Sequence, residues 1–125
     1  MTIARAPSGI YADSNSSPTI WNTVVAFSTD YRGFYCDGLS TMEVSHCVSY
    51  GNAVSDSLPG THHDNLFVDP LFCGMAYYDF SHCANSVCLG NNDWGESIGG
   101  LGQGCDACGS PVEPTSWGAI KAMYR

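Results

Sequence analysis

The side chains best equipped for chemistry fall into three groups. His62, His63 and Asp64 are consecutive metal-capable residues. Neighbours on an extended chain point to opposite sides, so both imidazoles reach one ion only if the chain bends. A tetrahedral site would still need a ligand from elsewhere, with His46 and His82 available for it; otherwise the segment is a solvated loop. The second group is the cysteines, seven in 125 residues. Cys105-Asp106-Ala107-Cys108 has the two-residue spacing of a zinc knuckle, but the nearest candidate for a second pair, Cys83 and Cys88, is separated by four residues. The alternative is a set of disulfides among Cys73, Cys83, Cys88, Cys105 and Cys108, and it is the use expected here. Cys73 would pair with Cys83 or Cys88, a closure that contributes roughly 3 kcal/mol in the chain-entropy picture. Cys36 and Cys47 are expected to fill the interior as small hydrophobes. The third group is a pair of aspartates, Asp13 and Asp37, whose spacing acquires meaning from the repeat described below.

Other chemistries lack their signatures. Ser, His and Asp are abundant, but there is no Gly-x-Ser-x-Gly elbow. The glycines from Gly99 to Gly104 lack the Lys-Ser/Thr ending of a phosphate-binding loop. Charged residues make up 13% of the chain, and 12 acidic residues against 4 basic ones leave a formal charge of -8. No Lys or Arg occurs between Gly33 and Ile120. Nucleic acids and anionic membrane surfaces are bound through cations, so neither is an expected partner. No apolar run exceeds four residues, as in Val24 to Phe27, far short of a membrane span.

What positions these groups is a repeat. Gly9-Ile10-Tyr11-Ala12-Asp13 returns as Gly33-Phe34-Tyr35-Cys36-Asp37, 24 residues later. At the same offset Ser17 meets Thr41, Ile20 meets Val44, Thr23 meets Cys47 and Val24 meets Val48. Each copy holds short β-branched and aromatic segments between Gly, Ser, Asn, Asp and Pro, without sustained helical periodicity. A β unit of that length fits one coil of a solenoid, in which equivalent residues stack about 4.8 Å apart. Tyr11 should then lie over Tyr35, with Ile20 and Val24 facing inward over Val44 and Val48.

The predicted fold is all-β: a right-handed parallel β-helix fragment with a loop-rich C-terminal cap and a short terminal α-helix. Residues 1–72 form the coils, with repeats at 9–32 and 33–56, a polar loop from Gly51 to Asp64 and an edge strand at 65–72 interrupted by Pro70. Residues 73–110 form a disulfide-stapled cap, with a strand at Tyr77 to His82 and a Gly-rich loop from Gly90. Residues 111–125 form a tail whose helix carries Trp117, Ile120 and Tyr124 on one face, capped by Thr115 or Ser116.

Stacked coils place Asp13 over Asp37. Their repulsion needs an offset, either a Ca²⁺ ion with oxygen ligands or solvent with turn hydrogen bonds to nearby N–H groups. The turn reading is the expected one and no cofactor is expected, Ca²⁺ being the one ion the pair could take. The same pair is the one to inspect for carboxylate-based glycoside hydrolysis. Outward aromatics, Trp21, Phe27 and Tyr50 foremost, together with Tyr31, Tyr77 and Tyr78, could stack on sugar rings or on one another across the coils.

The Gly-Ile-Tyr-x-Asp pattern, Ser16-Ser17-Pro18-Thr19-Ile20, the strand ending at Tyr50-Gly51-Asn52 and the Asp69-Pro70-Leu71-Phe72 segment together resemble the bacterial secreted β-helix repeat proteins of the pectate-lyase-like superfamily. Cys83-Ala84-Asn85-Ser86-Val87-Cys88 resembles their closing turn, with Val87 where Pro is usual. Ile98 to Cys105 and the end containing Trp117-Gly118 resemble the C-terminus of such chains. The resemblance implies the C-terminal part of a larger exported solenoid with further coils upstream, and makes Ca²⁺ a common ligand; no catalytic residue carries over. Met1 to Pro7 lack the apolar core of a secretory signal, so the chain is expected to be either cytosolic or a portion of a longer one, and its cysteine content favours the second. The expected function is a non-catalytic extracellular or cell-surface domain, a scaffold or adhesion module contacting glycans or surface proteins. The alternative is part of a polysaccharide lyase or glycoside hydrolase. A lyase acting on polyuronate requires a cationic base, and Arg5 and Arg32 are the only basic residues before the tail.

Overall fold

The computed structural model describes residues 1–92 and 94–108. The expected helix at 111–125 lies outside the described residues.

Strands of three residues dominate. In chain order they are β1 (Thr2–Ala4), β2 (Ile10–Ala12), β3 (Thr19–Trp21), β4 (Val24–Ala26), β5 (Phe34–Cys36), β6 (Glu43–Ser45), β7 (Val48–Tyr50) and β8 (Thr61–His63). They sort into three parallel sheets, β1-β4-β7, β2-β5 and β3-β6-β8, each built by stacking successive coils. The fold is a parallel β-solenoid of about four turns, the last marked by a bridge between Val48 and Leu66. The register follows the 24-residue offset: Tyr11 pairs with Tyr35, Ile20 with Val44, and Val24 with Val48.

The coils are unequal. Thr2 pairs with Val24, an offset of 22, whereas Val44 pairs with His62 and Val48 bridges Leu66, both offsets of 18. The shortened coil omits a third strand for the β2-β5 sheet, where Gly33 N–H donates to Ser55 O at 3.3 Å. This shortening is why the repeat disappears from the sequence after Tyr50, and why part of the expected polar loop is strand β8. Side-chain stacking also limits residue size between coils: a Cβ on Gly9 would collide with the Gly33 carbonyl oxygen, and one on Gly33 with the Asn52 amide.

Corners are made by single left-handed residues. Arg5, Phe27 and Gly51 follow the strands of the first sheet, and Asn22, His46 and Asp64 those of the third. Asn, Asp and His tolerate this conformation better than other side chains. Such a corner breaks the two-residue alternation of a strand. Ile20 therefore packs with Val25, Val44 and Cys47 inside the coil, while Val24 belongs to a different cluster. The expectation that Ile20 and Val24 both face inward is corrected by the turn at Asn22.

That second cluster lies on the outer face of the first sheet, where Val24, Ala26 and Val48 meet Cys88 and Ile98. β4 is buried along its whole length as a result, the condition typical of parallel sheets covered on both faces. The covering segment contains a mixed sheet in the order β11-β10-β9, from β9 (Phe72–Gly74), β10 (Asp79–Cys83) and β11 (Gln103–Cys105). It does not join the solenoid's ladders. It lies along the flank and reaches back to the first coil, where Gly99 N–H donates to Asn22 O and Gly100 N–H to Thr2 Oγ1, both at 2.9 Å. Residues 65–72 are correspondingly not a continuous edge strand: Leu66 makes a bridge and β9 starts only at Phe72.

Candidate functional site

The aspartate pair resolves into turn chemistry. Asp37 Oδ1 accepts the Leu39 N–H at 3.0 Å and Oδ2 accepts the Ser14 N–H from the coil above at 3.3 Å. The Ser40 side chain, followed by the backbone donors, holds the Asp37 carboxyl below the usual carboxylate range. Asp13 uses its carbonyl oxygen to receive the Ser16 N–H at 3.1 Å. Among the described residues, no third Cys, His, Asp or Glu gathers with this pair in a metal-binding group.

The histidine segment is divided by its strand. His62 pairs with Val44, in the column that begins at Ile20, while His63 pairs with Ser45, in the column that begins at Trp21. His63 Nδ1 lies 2.9 Å from Asp64 Oδ2, and His46 Nε2 lies 4.0 Å from the same oxygen. The two rings meet edge-on with centroids 6.0 Å apart. The hydrogen bond to His63, then the charges of His63 and His46, keep the Asp64 carboxyl below its ordinary range. The cluster is thus His46, His63 and Asp64 rather than His62, His63 and Asp64. It borders a cleft of about 400 Å³ whose far wall is Gly90, Asn91 and Asn92. His82 is not part of it: its buried ring lies between the carbonyls of Pro70 and Ile98.

The aromatic candidates are redistributed too. Phe27 packs edge-on against Tyr50 and Phe72, with centroids 5.9 and 6.1 Å away, in the flank cluster. Phe27 and Tyr50 are half-buried, packed against the apolar cluster on the outer face of the first sheet. Trp21 remains exposed. The open aromatic surface lies elsewhere, on the β2-β5 sheet. Tyr11 and Tyr35 stack with centroids 4.8 Å apart and planes 30° from parallel, and the Arg32 guanidinium sits 5.7 Å from the Tyr35 ring centre. With Tyr31, Ile10 and Val54 they line a cleft of about 390 Å³. Tyr11 is 60% and Tyr31 62% exposed, so the rings are available to a ligand. Desolvation by its neighbours, then repulsion from the groups around it, with the Asp13 and Asp37 carboxylates among them, raises the pKa of the Tyr11 phenol. The repeat alone placed Tyr11 over Tyr35; that Tyr31, Arg32 and Val54 close on the same surface depends on the loops.

The cysteines pair differently from expectation. Cys73 joins Cys105, and Cys83 joins Cys108. Cys88 forms no disulfide: it is fully buried beside Val24 and Ile98, and burial pushes its thiol up to about 11. Cys47 fills the interior as expected, while Cys36 is half-buried at its margin.

Comparison with known proteins returns no relative: no protein-family model matches the chain, and neither a curated protein nor a solved structure does so significantly.

Proposed function

We propose that this chain is a non-catalytic, extracellular or cell-surface β-solenoid domain that binds glycans in the Tyr11-Tyr35 cleft. The observation that carries the reading is the exposed, stacked tyrosine pair with Arg32 beside it. Flat aromatic faces present apolar surface to the C–H face of a sugar ring, while phenol and guanidinium groups supply hydrogen bonds at its edge. Two disulfides favour an oxidising compartment. The Gly-Ile-Tyr-x-Asp coils favour a place among bacterial pectate-lyase-like solenoids, with further coils in the parent protein.

A catalytic alternative would draw on the Asp13 and Asp37 carboxylates. A general acid needs a raised pKa, so the hydrogen bonds that lower that of Asp37 fit it only to the base or nucleophile role. The exposed aromatic cleft makes binding the preferred reading. A glycan array probed with the purified chain tests it. The expected outcome is a defined set of bound glycans, with Tyr35→Ala weakening binding about tenfold, equivalent to about 1.4 kcal/mol, and Trp21→Ala leaving it unchanged. Binding that survives loss of both Tyr11 and Tyr35, or no binding at all, overturns the proposal.

A further inference from the structure

Two disulfides need only bring each pair of cysteines together. In this protein the two bridges also converge on one point. The sulfurs of Cys73, Cys83 and Cys105 all lie within 4.8 Å of one another, although Cys83 is bonded to neither of the others. The arrangement comes from the mixed sheet: Cys73 lies on β9, Cys83 ends β10, and Cys105 is the ladder partner of Cys83 on β11. The fourth sulfur follows by the short Cys105-Asp106-Ala107-Cys108 turn. Asn85 holds that turn, accepting the Cys108 N–H at 2.9 Å and donating to the Cys108 carbonyl at 3.1 Å.

Four thiolates around zinc, each at about 2.3 Å, stand about 3.8 Å apart in a tetrahedron. Three of the sulfurs already lie within 4.8 Å of one another, one of those separations being the Cys73–Cys105 bond that reduction opens, and the fourth, bonded to Cys83, follows at the two-residue interval typical of zinc-binding turns. Cys83 is fully buried while Cys73, Cys105 and Cys108 are partly exposed, so an ion can enter from solvent and become enclosed.

We infer that Cys73, Cys83, Cys105 and Cys108 form a tetrathiolate zinc site when the chain is reduced. The oxidised chain keeps the same segment closed with its two disulfides. With a phosphine reductant, each disulfide takes two electrons from phosphorus. Water supplies the oxygen of the phosphine oxide and the two protons of the thiols. Zinc then binds the four thiolates as their protons leave to solvent.

Cobalt(II) gives the test, because four thiolates around it produce thiolate-to-metal charge transfer and the visible bands of a tetrahedral ion. The full chain is reduced with phosphine, titrated with Co²⁺ and followed by absorption and circular dichroism. Expected are one Co²⁺ per chain, displacement by one Zn²⁺, loss of the bands in Cys105→Ser and retention in Cys36→Ser. If reduction unfolds the chain, recovery of the β spectrum on adding Zn²⁺ supports the site, and failure to recover overturns it. A reduced, folded chain that takes up no stoichiometric cobalt, or a Cys105→Ser chain that binds it as the parent does, also overturns it.

Discussion

Asn52 links two neighbouring coils through one side chain. Its Nδ2 donates to Val25 O at 3.1 Å and to Asp56 Oδ1 at 2.8 Å, and its Oδ1 accepts the Ser28 N–H at 3.0 Å. Asn52→Ala leaves the buried Ser28 N–H without its acceptor, so urea denaturation should show a loss of about 1–3 kcal/mol. His82 has a different effect. Burial is the main influence on its ring and lowers its pKa, outweighing the carbonyls of Pro70 and Ile98. The unfolded chain, titrating near about 6.5, therefore binds the extra proton first. The stability linked to His82 is fully present above that value and is lost as pH falls toward the lower folded pKa. A stability profile between pH 7 and pH 5 should slope downward for the parent, by about the range in which histidine titrates, and flatten for His82→Asn. An equal slope in both would assign the effect to another group.

At the scale of elements, β4 is the strand on which both cores depend. Val25 faces the interior with Phe34 and Val44, whereas Val24 and Ala26 face Ile98 and Cys88 on the flank. Ile98 is fully buried yet belongs to a segment without strand structure of its own. Truncating a side chain so enclosed removes its transfer energy and leaves a cavity. Ile98→Ala should cost about 2–5 kcal/mol, measurable as a lower denaturation midpoint at unchanged slope. A cost near zero would mean that the segment does not cover the sheet in solution.

For the molecule as a whole, the returning segment ties the last coil to the first. Arg5 takes part from the solenoid side, donating from Nη1 to Met75 O at 2.9 Å and lying 4.5 Å from the Tyr78 ring centre. The disulfides close loops of 32 and 25 residues. In the chain-entropy picture each contributes about 3–4 kcal/mol. With divalent metal chelated, replacing Cys73 and Cys105 by Ser should lower stability by about that amount. It should also increase binding of a hydrophobic dye, as the outer faces of Val24, Ala26 and Val48 become accessible. Unchanged dye binding would show that the flank stays closed through its apolar contacts alone.

The solenoid was legible because its cause is local and periodic: residues 24 apart pair strand to strand, and Tyr11 over Tyr35 or Ile20 over Val44 needs nothing beyond that interval. The 18-residue coil was not legible, since a shortened repeat carries no second copy to reveal it. Corner residues such as Asn22 reset which face a side chain occupies, and so Val24 lies in the flank cluster with Phe27 and Tyr50 rather than inside the coil. The sites depended further on contacts between distant segments. His46 joins His63 and Asp64 through stacking of coils, and Arg32 meets the tyrosines through a loop. Cysteine content pointed to disulfides in the segment after Phe72; only the return of that segment along the flank decided that Cys73 meets Cys105, that Cys83 meets Cys108 and that Cys88 stays a thiol. Repetition specifies pairing between neighbouring coils, whereas a segment that departs from the repeat finds its place by burying the apolar face the coils leave open.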